Sequence, residues 1–292
     1  MTYNRTFSNF LLMTKGRSTL TNVLAGVAYL IGQCESMARL SGKVAILTGS
    51  SGGIGRTTAM IFAKEGADVV IHYRSKESDA RELVEKITAI GRKALLARVD
   101  FDDVSHAPDE VQKMIDLTIK EFNRVDVLVN LAGYPALGEW NKRLFEVTTD
   151  DFFKPINVDL FGSFLCAKAV APHMIRQEKG VIVNVSSTPA LAGHDKGFAF
   201  TVAKVAIIGL TKALAFELAP FVRVNTIALG NVETSWTREL SGEELAVARN
   251  ENLIRRFGSQ EEIGKALVFL CSDDSSFVNG QTIVLDGGTI LH

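Results

Sequence analysis

The segment Thr48-Gly49-Ser50-Ser51-Gly52-Gly53-Ile54-Gly55 follows a short apolar run and opens an amphipathic stretch. Glycines at 49, 53 and 55 let a backbone come close to a pyrophosphate. A helix starting at this point supplies unpaired N–H donors and the positive end of its dipole. Gly49, Ser51, Gly53, Ile54 and Gly55 are therefore candidate contacts to a dinucleotide. A glycine-rich turn that is simply tight on its helix would look the same in isolation. A second apolar run ends Ile71-His72-Tyr73-Arg74-Ser75. An acidic residue at such a strand end would hold the ribose 2′-hydroxyl of NAD, whereas arginine accommodates the 2′-phosphate of NADP. No acid stands here and Arg74 does, which favours NADP(H) over NAD(H). The alternative for Arg74 is a solvated residue at a helix start.

These residues need a scaffold, and the pattern of the chain provides one. Apolar runs at 44–47, 69–71, 94–97, 125–129, 181–185, 222–227 and 282–285 alternate with helical patterns near 54–65, 77–90, 109–122, 150–177, 201–218 and 260–271. Near-continuous apolar strands alternating with helices predict an α/β fold. The expected architecture is a single doubly wound, Rossmann-type domain with a seven-stranded parallel sheet and helices on both faces. Pro155 falls early in the fifth helix and predicts a kink just before Asn157.

The chain has 292 residues, 47% hydrophobic and 22% charged, with a net charge of −1. This suits one large globular domain, carries no basic surface for nucleic acid, and shows no clustered metal ligands. Cys34, Cys166 and Cys271 are scattered and odd in number, as expected in a reducing compartment, so a cytoplasmic location is the expectation. Residues 1–36 form an N-terminal extension before a domain spanning 37–292. Residues 1–34 lack Asp and Glu but contain Arg5, Lys15 and Arg17. This extension reads as a targeting segment, which would make the location an organelle, as an extra helix, or as a start-site extension. Its apolar run at 23–31 is too short to span a bilayer.

Several further segments resemble the short-chain dehydrogenase/reductase family, nearest in flavour to its 3-oxoacyl-carrier-protein reductase branch. Besides the glycine turn they are Asn130-Leu131-Ala132-Gly133, Ile156-Asn157-Val158, Ser187 through Lys204, Arg223 through Gly230, and Thr282 through Gly288. Together they cover about residues 40 to 288. The resemblance implies an NAD(P)-dependent oxidoreductase that transfers hydride between nicotinamide and a carbonyl or alcohol. It also implies a homotetramer or homodimer paired through the fifth and sixth helices, with Ala206, Gly209, Leu210, Ala213 and Leu214 available on one face. The catalytic tetrad of the family maps to Asn157, Ser187, Phe200 and Lys204. Cofactor contacts map to Asp100, Asn130, Ala132, Gly133, Lys204, Val232 and Thr234, although Asp100 could equally cap the next helix.

Departures from the family pattern are Gly52, Leu131 and Leu229 and, above all, Phe200 where the family has its catalytic tyrosine. A positioned acid contributes roughly 10²–10⁴-fold to rate, so ordinary carbonyl reduction should be weak. Tyr134 and His194 are possible substitute donors, each with a bland alternative as pocket wall or exposed loop. A substrate needing no proton at the reacting atom, such as an iminium ion, is another route, although Lys204 would place a positive charge beside it. A catalytically impaired dinucleotide-binding or scaffold protein, or an engineered Tyr→Phe variant, also fits the sequence. The region 233–258 is expected to form a lid, with Trp236, Leu240, Leu245, Leu253 and Ile254 available for an apolar wall.

Overall fold

A computed structural model describes residues 38–135, 138–234, 237 and 240–291. The expectations for residues 1–36 and for Trp236 lie outside these. The element order is β1 (Val44–Leu47), α1 (Gly53–Lys64), β2 (Asp68–Tyr73), α2 (Glu77–Ala89), β3 (Ala94–Arg98), α3 (Ala107–Phe122) and β4 (Val127–Asn130). There follow α4 (Thr149–Pro155), α5 (Gly162–Arg176), β5 (Gly180–Ser187), α6 (Pro189–Ala192), α7 (Phe198–Glu217), β6 (Val222–Leu229), α8 (Gly242–Asn250), α9 (Gln260–Cys271) and β7 (Thr282–Leu285). The seven strands form one sheet in the order β3-β2-β1-β4-β5-β6-β7, and every pairing is parallel. This is the doubly wound architecture expected from the alternating pattern.

Two apolar cores, one on each face, explain why the strands read as unbroken hydrophobic runs. One gathers Leu47, Phe62, Ile71, Leu83 and Val268. The other gathers Ile46, Met114, Leu128, Met174 and Ile182. Between α4 and α5 the backbone makes a π-turn over Ile156–Phe161, directly after Pro155. Proline withdraws a donor from the helical ladder, so the ladder re-forms with a wider register. Two helical segments, Thr149–Arg176 and Phe198–Glu217, are long and apolar enough to cross a membrane by length and composition. Both pack against this sheet, and their windows are 50% and 33% buried.

The strand order reverses between β1 and β4, and ligands of such sheets bind where the connections diverge. Two polar devices shape that edge. Asn184 on β5 accepts from Asn130 Nδ2 and donates to Thr211 Oγ1, both at 2.8 Å, and Thr211 meets Thr226 at 2.6 Å. This buried chain ties α7 to the middle of the sheet. His72, only 3% exposed, accepts the Gly49 N–H on Nδ1 at 2.7 Å and faces Val99 O through Nε2 at 3.0 Å. A backbone N–H can only donate, so the ring is the neutral Nε2–H tautomer. The glycine turn is thereby pinned to the end of β2.

Burial lowers the His72 pKa to about 4, against about 6.5 in an unfolded chain. The unfolded state therefore binds the extra proton first, and stability falls as pH drops from about 6.5 towards 4. Between pH 7 and 4.5 the His72 contribution is about 2–3 kcal/mol. Urea unfolding at both pH values is expected to show a loss in the parent that exceeds that of His72→Gln by this amount.

Candidate active site

The phosphate-binding geometry is built by β1, the turn after it and α1. Gly49 has φ +65°, and a Cβ there would lie 2.8 Å from Ala132 Cα. Only glycine allows this approach. Ala132 N donates to Thr48 Oγ1 at 3.0 Å, which closes the same contact. No side chain caps the N-terminus of α1, and its first turn holds no acid. Its donors and dipole thus face an open groove of about 270 Å³ lined by Gly49, Ser51, Gly52, Arg74, Lys76 and Ala132, among others. Two cations and free helix-end N–H groups fit a phosphate-bearing dinucleotide. Gly55 is buried against the Gly49 carbonyl and shapes the turn from behind.

The groove continues at Gly133 and Tyr134 into a cavity of about 560 Å³. Ile54, Ser187, Phe200, Lys204, Val232 and Thr234 all line it. The structure therefore brings most of the residues singled out above into one cleft. Besides Gly55, three candidate cofactor contacts sit differently. Asn130 is buried, and its amide is engaged by Asn184. Asp100 accepts from the Asp102 amide at 3.2 Å, and the groove is lined by its neighbours Val99 and Phe101. His106, not Asp100, occupies the cap position of α3. Gly53, at φ +51° with no atom within 4 Å of a built Cβ, makes the bend without lining either cavity.

At Lys204 the arrangement differs from the tetrad expected. Its ammonium donates to Val185 O at 3.1 Å and lies 3.2 Å from Asp159 Oδ2. It sits 5.6 Å from the centre of the Phe200 ring. The residue beside the lysine is thus Asp159, not Asn157. Asn157 turns its amide to Asp102 Oδ1 at 3.4 Å. Two residues along a helix are roughly 200° apart around its axis, so the two side chains face opposite ways. Asp159 also accepts the Tyr134 N–H at 2.7 Å. Complete burial pushes its carboxyl above the usual carboxylate range, while Lys204 and the Tyr134 amide pull it back. A signal for it existed: Asp159 is the one acid between Phe152 and Gln177, in an otherwise apolar segment, and buried acids need partners.

Ser187 Oγ donates to Leu229 O at 3.1 Å, so its hydrogen is engaged by the sheet. Tyr134 donates its hydroxyl to Glu139 Oε1 at 2.8 Å. Burial and then Glu139 push its pKa up to about 12, which makes it a weaker acid than an ordinary tyrosine. His194 lines the cavity with its ring 5.2 Å from that of Trp140. Trp140 in turn meets Phe200 edge-on at 5.6 Å. Of the expected lid wall, the described residues Leu240, Leu245, Leu253 and Ile254 do not border the cavity, and Leu253 and Ile254 are 71% and 60% exposed; Thr234 and Glu251 of the same region do border it. Trp140, missed in the sequence, supplies the apolar wall together with Pro135, Pro189 and Ile290.

The family described as Enoyl-(Acyl carrier protein) reductase matches residues 49–290. The chain is 36% identical over 254 residues to 3-oxoacyl-[acyl-carrier-protein] reductase of Thermotoga maritima, covering 87% of this chain and 100% of that protein. It is 35% identical over 253 residues to the (2S)-[(R)-hydroxy(phenyl)methyl]succinyl-CoA dehydrogenase subunit of Thauera aromatica, covering 86% and 98%. A crystal structure of a short chain dehydrogenase from Burkholderia cenocepacia in complex with NADP superposes with a TM-score of 0.77 at 30% identity, covering 86% of this chain and 99% of that one. On this fold, this cleft and these likenesses, the chain belongs to the short-chain dehydrogenase/reductase family.

Proposed function

We propose that the protein is an NADP(H)-dependent oxidoreductase acting on a small molecule, with an active site that lacks the usual tyrosine acid. The observation that carries this reading is the continuity of the Gly49–Gly55 turn and the Arg74 groove with a cavity bordered by Lys204 and Ser187. A bound nicotinamide would supply hydride there. The chain's own part is to hold phosphate on the α1 donors, to meet a 2′-phosphate with Arg74, and to place a substrate against the wall of Tyr134, Trp140 and Phe200. Phe200 has no proton to give. The lysine that would lower the pKa of a tyrosine at this position is paired with Asp159 instead. A dinucleotide-binding protein without turnover is the second reading, favoured by that same loss.

The exposed edge of α7 supports a homo-oligomer. Val205 and Phe216 are 47% and 88% exposed, with Gly209 and Ala213 exposed between them. This spacing lays an apolar stripe along one helix face, suited to packing against a second copy. Light scattering at micromolar concentration is expected to return a dimer or tetramer; a monomer would refute the pairing.

Fluorescence titration is expected to give tighter binding of NADPH than NADH. Arg74→Ala should remove about 10–100-fold from the NADPH affinity, the worth of a charge-assisted hydrogen bond, and leave NADH almost unchanged. Equal binding of both cofactors by the parent would remove Arg74 from this role. Phe200→Tyr should raise ketone turnover, but towards the lower end of the general-acid range, about 10²-fold, because Asp159 neutralises Lys204. Adding Asp159→Asn to that variant should raise it further. No hydride transfer by the parent or either variant, despite tight NADPH binding, would leave the dinucleotide-binding reading standing.

A further inference from the structure

We propose that the substrate half of the cavity is built for a cationic hydride acceptor, an iminium ion, and that Asp159 is the specificity-determining residue. The inference rests on the reading of the chain as a nicotinamide-dependent oxidoreductase and names the substrate class of that site. Its starting point is a charge balance that the linear sequence hides. Lys204 would repel a cation if it stood alone. It does not stand alone, because Asp159 lies 3.2 Å away with a fully buried side chain. The second oxygen of Asp159 is fixed by the Tyr134 amide at 2.7 Å. A cation entering the cavity therefore meets a paired, neutral unit.

The rest of the described wall favours positive charge. Apart from Lys204, its charged lining residue is Glu251, which accepts from Asn231 Nδ2 at 2.7 Å. Glu139 stands behind the Tyr134 hydroxyl. Tyr134, Trp140 and Phe200 contribute three aromatic rings to one wall, and cations are attracted to aromatic faces. Ser187 completes the fit. Its hydroxyl hydrogen goes to Leu229 O, which leaves its oxygen lone pairs to accept rather than donate. In that hydroxyl orientation the partial negative charge of the oxygen attracts an iminium group and repels a carbonyl oxygen.

The chemistry also accounts for Phe200. The iminium carbon gains one hydrogen with its two electrons, forming a C–H bond as a ring C–H bond of a dihydronicotinamide breaks. The C=N π pair retires to nitrogen as a lone pair. The substrate is reduced to a neutral amine, the dinucleotide is oxidised and takes over the positive charge, and no proton enters or leaves. An acid at position 200 would have nothing to do in this step.

Calorimetry on the NADPH-loaded protein tests the proposal without turnover, because neither probe has a C=N or C=O bond to reduce. The probes are a quaternary tetrahydroisoquinolinium ion and its neutral tetralin isostere. The cation is expected to bind about ten-fold more tightly than the isostere. Asp159→Asn should erase that margin by exposing the lysine charge, leaving the isostere within about two-fold. In turnover, N-methyl dihydroisoquinolinium should oxidise NADPH in the parent, where tetralone does not. If Asp159→Asn fails to fold, the two probes on the parent decide. Equal binding of both probes, or no reduction of the iminium by a protein that binds NADPH, overturns the proposal. If Phe200→Tyr reduces tetralone in that case, the oxidoreductase reading survives alone; if NADPH does not bind at all, both fall.

Discussion

The close approach of two backbones at the sheet's reversal point governs the rest of the molecule. Gly49 after β1 lies against Ala132 after β4, and the Thr48 hydroxyl joins them. Beyond this contact the chain departs in opposite directions, to α1 on one side and towards α4 on the other. The crevice left between the departures keeps both strands hydrogen-bonded and still opens backbone N–H groups to a ligand. His72 holds the turn from the β2 side and can do so only as a neutral ring. The site is thus supported by a desolvated imidazole, a backbone approach too close for a methyl group and a parallel sheet.

A second constraint acts deeper in the cleft. Lys204 is carried by α7, which the Asn184–Thr211–Thr226 chain fastens to the sheet. Its side chain is only 9% exposed, so the ammonium needs a counter-charge. Asp159 provides one from the π-turn after Pro155. A buried ion pair gains little net stability over an apolar pair of the same size, because both desolvation costs must be offset. Its value here is local: it removes the lysine's field from the cavity. On the proposed reading the two positions act in the same direction: Phe200 carries no proton to give, and Asp159 pairs the lysine beside it.

The sequence by itself determined the architecture, because parallel strands buried on both faces leave an unmistakable alternation of apolar runs and amphipathic helices. Six long helical patterns and seven runs correspond to elements of the fold within a few residues. It also determined the glycine turn, whose spacing is dictated by a contact no side chain tolerates, and the phenylalanine at 200, a plain identity at a defined spacing from Ser187 and Lys204. Arg74 was legible for the same reason: it ends a strand.

Tertiary structure decided which polar side chains meet. Asn157 and Asp159 are two positions apart, and only the rotation of the helix across the π-turn selects Asp159 for the lysine. Asn130 looked like a cofactor contact, but the register of β4 on β5 turns it to Asn184. Tyr134 looked like a free hydroxyl until Glu139, five residues on, was folded back against it. An apolar wall was expected from 233–258, and among the described residues it is Trp140 and the ends of distant loops that supply it. Each of these depends on orientation and on neighbours remote in sequence, and neither is encoded in the local pattern of hydrophobicity that reveals strands and helices.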